Sequence, residues 1–93
     1  MAFSFDFSSE LEETLSKLLK KDKKRYETVW KKVEKIASRD STSIDFYKNL
    51  RYPLKDYKRV HIDKSFVLLF KIMKEKNYIL FDKLKHHDDV YKP

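Results

Sequence analysis

Ninety-three residues suffice for one hydrophobic core, so the expected organisation is a single domain over 1–93. The absence of glycine excludes a phosphate-cradling P-loop and a Rossmann fingerprint, and the absence of cysteine excludes disulfides, thiolate catalysis and cysteine-ligated zinc. A net charge of +7, from 22 Lys+Arg against 15 Asp+Glu, points to a polyanionic partner, either nucleic acid or an acidic protein segment.

Residues 2–8 alternate, with Phe3, Phe5 and Phe7 on one side and Ser4, Asp6 and Ser8 on the other, the pattern of a half-buried strand. Ser9 stands three residues before Glu12, a capping-box spacing that opens a helix. Leu11, Leu15, Leu18 and Leu19 give that helix one apolar stripe. The basic run Lys20–Arg25 breaks the stripe and reads as a solvated turn, with Asp22 placed to cap a second helix. Tyr26, Val29, Trp30, Val33, Ile36 and Ala37 repeat at helical spacing, completing an αα-hairpin.

Ser38 to Ser43 is a polar break, and the passage from Ile44 to Leu54 is irregular, with Pro53 disfavouring helix and biasing Tyr52 to extended structure. From Tyr57 the pattern becomes strand, Val60 and Ile62 alternating with Arg59 and His61. Ser65 to Met73 is apolar on both faces, as in a strand covered on both sides. Glu75-Lys76-Asn77 marks a hairpin turn, after which Tyr78 to Leu84 pairs back as the next strand. The polar tail KHHDDVYKP follows. Strand, helix, helix and three further strands make an α+β fold, with both helices on one face of an antiparallel sheet and the first strand returning beside the later ones. No run approaches the roughly 18 apolar residues of a membrane span, and MAFSFDFSS lacks the basic and apolar regions of a secretory signal. A cytoplasmic protein with no membrane association is expected.

The charge surplus is uneven. Residues 1–38 carry nine basic and seven acidic groups, and residues 39–93 carry thirteen and eight, so the second half is the expected binding face. It also holds all three histidines: His61 in a strand, and His86 and His87 just after another strand of the same sheet. Neighbouring strands lie only about 4.8 Å apart, so His61 and one tail histidine can converge. Taken alone, His61 reads first as an ordinary surface histidine, and the tail as a polar terminus with Tyr91 as a packing anchor. Tyr47, Arg51, Tyr52, Lys55, Tyr57, Lys58 and Arg59 interleave cations with aromatic rings, which suits single-stranded RNA or DNA as well as a solvated loop.

The run KNLRYPLKDYKRVHIDKSFVLLFKI, followed by HHDDVY, resembles the RelE/YafQ-type toxins of type II toxin–antitoxin systems, and more closely their archaeal RelE-like members. The resemblance spans nearly the whole chain, including the opening strand and the αα-hairpin. It implies a RelE-like fold and an endoribonuclease that cuts mRNA, often within the ribosome, without metal or organic cofactor. It also implies a cognate antitoxin as partner. His61 stands where YafQ-type members use a strand histidine, and His87 where they place a near-terminal histidine acting as general acid. Lys85 and Tyr91 fall near the C-terminal arginine and tyrosine of RelE-type members, and Lys58 near a basic strand residue. Three positions depart from the pattern. Ser65 replaces a catalytic Asp, although Asp63 is nearby. Val67 replaces an arginine on the central strand. Tyr52 replaces a histidine before the Pro-Leu pair.

The implied chemistry is attack of an RNA 2′-hydroxyl on the adjacent phosphate. His61 would act as base, with Asp63 to orient it, and His87 as acid; Lys58, Arg59 and Lys85 would balance charge, and Tyr91 would stack on or orient a base. Arg51, Lys55 and His86 would join Lys58 and Arg59 in holding RNA. Two alternatives remain at this level: a ParE-like inhibitor of DNA gyrase, which has no need of the His61/His87 pair, and a catalytically decayed member that binds RNA or antitoxin only.

Overall fold

The computed structural model describes residues 3–50 and 55–91, the last of them for its backbone alone. Strand β1 (Ser4–Phe7) leads into helices α1 (Ser9–Lys21) and α2 (Lys23–Ala37) and a 3-10 turn at Ser43–Phe46. Strands β2 (Lys58–His61), β3 (Phe66–Met73) and β4 (Tyr78–His86) follow, and a short helix α3 (His87–Tyr91) comes last. The four strands form one sheet in the order β1-β4-β3-β2.

The phenylalanine alternation behaves as its period requires: Phe3 is buried, Phe5 and Phe7 pack against the core, and Ser4 and Asp6 are exposed. The direction of pairing differs from the expectation of an antiparallel sheet. β2, β3 and β4 are antiparallel, but β1 runs parallel to β4, with Phe7 opposite Phe81. The αα-hairpin carries the chain back across one sheet face before β2 begins, and β1 is left to fill the β4 edge. The start of α1 also differs. Ser8, not Ser9, is the N-cap, its Oγ accepting the Leu11 N–H at 3.0 Å. Ser8 is selected by tertiary contacts, because its Oγ donates to the Asp82 carbonyl at 2.6 Å and its N–H to the Phe81 carbonyl at 2.9 Å. Asp22 caps α2 as its side-chain chemistry dictates, accepting the Arg25 N–H at 3.0 Å.

Leu11 and Leu15 of α1 and Val29, Val33 and Ile36 of α2 meet Leu68, Phe70, Ile79 and Phe81 of the sheet in the main core. Full burial of each large side chain contributes roughly 1.5–3 kcal/mol. The opposite sheet face carries a smaller cluster of Leu50, Val67 and Leu69, against which Tyr57 and Val90 of α3 pack. β3 is therefore buried on both sides, as its doubly apolar sequence implied. Asn77 takes the left-handed conformation (φ 51°) that closes the β3–β4 turn, a conformation Asn tolerates better than most residues. β4 runs two residues past the expected Leu84, and the tail that follows forms α3. A bulge sets its register: Leu69 faces Lys83 while Phe70 faces Phe81, leaving Asp82 as the extra residue.

Candidate active site

The strand register assigns every side chain on β2, β3 and β4 to a face. Directly paired residues share a face, so His61, Val67 and Lys85 form one row across the sheet, and Arg59, Leu69 and Lys83 form the next. Both rows lie on the face away from α1 and α2, since Leu68 and Phe70, the alternate residues, lie in the helix-side core. α3 lies over the same face, anchored by Val90. Its first residue, His87, donates its backbone N–H to the Ser65 carbonyl at 2.6 Å. That bond brings the His87 ring to 5.7 Å from the His61 ring, centroid to centroid, at an angle of 33°. Two imidazoles thus converge on a surface carrying Arg59 and Lys85. Partial desolvation, then Arg59 and His87, hold the His61 pKa below the ordinary imidazole value.

Val67, where an arginine was expected, is fully buried under this row as part of the floor that seats α3. Ser65, where a carboxylate was expected, contributes its backbone carbonyl to His87. Asp63 does not face the histidines with a free carboxylate. One oxygen accepts the Ser65 and Phe66 amides at 2.8 and 3.1 Å, and the other accepts Arg25 Nε at 2.7 Å. Burial works to raise its pKa, but Arg25 and the two amides outweigh it and hold the group below the ordinary carboxylate value.

Two residues expected on the RNA face lie elsewhere. Lys58 pairs with Phe70, which puts it on the helix side. Its ammonium donates to the Tyr47 carbonyl at 2.9 Å and to Asn49 at 3.0 Å and pairs with Asp45 at 3.5 Å, leaving its side chain 12% exposed. His86 pairs with Phe66 and packs edge-on against that ring at 5.6 Å, one alternation away from Lys85 and on the opposite face. Lys55 is exposed in the turn before β2. Arg51 and Tyr52 lie outside the described residues, as does the Tyr91 side chain. Lys83 lies two residues before Lys85 on the same strand face, but its Nζ is paired with Glu10 Oε1 of α1 at 3.0 Å. Among the described residues, no three His, Asp or Glu side chains are placed to share a metal ion.

No protein-family model matches the chain. A curated protein of Methanocaldococcus jannaschii, named "Putative toxin RelE4", is 42% identical over 90 residues, covering 97% of this chain and 92% of the relative. The chain belongs to the RelE toxin family. Solved structures agree on the fold. A metal-bound toxin from Helicobacter pylori superposes with a TM-score of 0.73 at 22% identity, covering 98% of this chain and 100% of that one. The toxin–antitoxin complex RelBE2 of Mycobacterium tuberculosis contains a chain that superposes with a TM-score of 0.62 at 16% identity, covering 94% of this chain and 93% of that one.

In this RelE-family chain the basic face is braced at its far end by Tyr57. Its hydroxyl donates to Asp82 Oδ2 at 2.5 Å, and Lys71 Nζ lies 4.7 Å from its ring centroid. The Asp82 hydrogen bond, burial and nearby carboxylates push the Tyr57 pKa up to about 12. Tyr57→Phe should cost about 1–3 kcal/mol, since it strands a half-buried carboxylate without its donor. Urea denaturation reads this directly, and a cost below a few tenths of a kcal/mol would show that the brace is idle.

Proposed function

We propose that this protein is the toxin of a toxin–antitoxin pair and acts as an endoribonuclease on mRNA, with message on the ribosome as its substrate. The observation that carries the reading is the His61–His87 pair, 5.7 Å between ring centroids, on a sheet face that also carries Arg59 and Lys85. A phosphodiester seated there lies within reach of both rings. His61 takes the proton from a 2′-hydroxyl as the O2′–P bond forms. His87 gives a proton to the O5′ as the P–O5′ bond breaks. Arg59 and Lys85 balance the charge that gathers on the phosphorus oxygens. The products are a 2′,3′-cyclic phosphate and a 5′-hydroxyl, and no step uses a metal. An acidic antitoxin segment laid over the basic face would cover both histidines, a reading supported by the antitoxin-bound state of the RelBE2 relative.

End-group analysis of the cut RNA tests the chemistry. Cyclic phosphate and 5′-hydroxyl ends are expected, whereas 5′-phosphate ends would overturn the mechanism.

The pH dependence follows from His61. A base works deprotonated, so kcat/KM rises with pH through the His61 pKa, and the need for a protonated acid makes the whole profile bell-shaped. Because that pKa is depressed from 6.5, the acid limb should be centred below 6.5. Arg59→Gln removes one depressing charge and should move the midpoint upward. An acid limb centred above 6.5 in the wild type would exclude His61 as the base.

A further inference from the structure

Both histidines depend on one loop. His61 ends β2, residues 62–65 connect it to β3, and the Ser65 carbonyl holds the His87 N–H at 2.6 Å. Asp63 sets the shape of this loop through its bonds to the Ser65 and Phe66 amides. Asp63 is in turn held by Arg25, from the first turn of α2, at 2.7 Å. Arg25 is fixed on two further sides. One of its terminal nitrogens lies 3.2 Å from Asp22 Oδ2, and the centre of its guanidinium lies 4.4 Å from the centroid of the Phe66 ring. Its side chain is 27% exposed, which sets it apart from the solvated lysines around it.

We propose that Arg25 is a positioning residue: by anchoring Asp63 it holds the loop that sets the spacing of His61 and His87. The catalytic consequence rests on the nuclease reading; the structural consequence does not. An exposed ion pair is ordinarily worth about 0–1 kcal/mol and would move neither histidine. Arg25 differs because one planar group meets two carboxylates and a ring at once. A lysine, a point charge on a flexible stem, does not reproduce that arrangement.

The test compares wild type with Arg25→Met, Arg25→Lys and Asp63→Asn. Circular dichroism confirms folding, NMR reads the His61 and His87 imidazole resonances through a pH titration, and steady-state cleavage separates kcat from KM. In Arg25→Met, both sets of resonances should shift, and the His61 midpoint should rise towards 6.5 as His87 moves away. A displacement of about 1 Å can cost up to about 10²-fold, so kcat should fall roughly 10- to 100-fold with KM nearly unchanged. Arg25→Lys should restore only part of this. Asp63→Asn keeps the amide acceptor but loses the charge, so it should shift the resonances in the same direction, and it carries the test if Arg25→Met does not fold.

Unchanged histidine resonances in folded Arg25→Met or Asp63→Asn would overturn the proposal. So would a rise in KM with kcat intact, which would make Arg25 an RNA contact. If the wild type cuts no RNA, the nuclease reading fails by itself, and the resonance shifts still decide the role of Arg25.

Discussion

His87→Ala should lower RNA cleavage by about 10²- to 10⁴-fold, the usual scale for removing a general acid, and leave the fold standing. The side chain is half-buried at the rim of the basic face, and none of the main core rests on it. The substitution keeps the backbone N–H that bonds to Ser65, so α3 retains its first tether. Val90, three residues on, still packs on Leu50, Val67 and Leu69. The loss should therefore appear in kcat while the melting temperature stays within a few degrees. His61→Ala should lose activity on a similar scale. The double substitution should cost little more than the worse single one, because an acid and a base that work as a unit are not additive. Single-turnover cleavage of a short RNA checks this. Equal rates for wild type and folded His87→Ala would remove that residue from the mechanism.

The largest effect on stability is expected at Phe81. The ring is fully buried and meets Phe70 at 5.5 Å, Phe5 at 5.6 Å and Phe7 at 5.9 Å between centroids. It also sits opposite Phe7 in the parallel β1–β4 pairing, just before the bulge at Asp82. Phe81→Ala opens a cavity where three rings converge and should cost about 3–5 kcal/mol. That is a large share of the roughly 5–15 kcal/mol that holds a domain of this kind together. At about 4–8 °C per kcal/mol for a chain of this length, the melting temperature should fall by at least about 12 °C. A cost below about 1.5 kcal/mol in urea denaturation, less than half of the expected range, would mean that β1 repacks without this ring.

The elements were legible because their periods are. Alternation marks Phe3, Phe5 and Phe7, and helical spacing marks Leu11–Leu15 and Val29–Val33–Ile36. Alternation gives a strand its faces but neither its neighbour nor its direction, so the parallel placement of β1 was not readable. Ser8 and Ser9 are equivalent caps locally, and contacts to β4, more than 70 residues away along the chain, select Ser8. The site was legible as chemistry before it was legible as geometry. His61 and His87 stand out by residue type. Which tail histidine meets His61 depends on where β4 ends, and ending it at His86 turns that ring towards Phe66 and starts α3 at His87. Lys58 was grouped with Arg59 because the two are adjacent, and adjacency in a strand is what separates them onto opposite faces. The Arg25–Asp63 contact left no local trace, since the two residues are 38 apart along the chain.

The most direct test is to translate a defined mRNA in a cell-free system and map new 5′ ends, with wild type beside the His61→Ala/His87→Ala double variant and a naked-RNA lane in EDTA. New ends with wild type alone are predicted, and the naked-RNA lane reads whether the ribosome is needed. Equal cutting by the folded double variant, or none by folded wild type, would contradict a nuclease built on the His61–His87 pair.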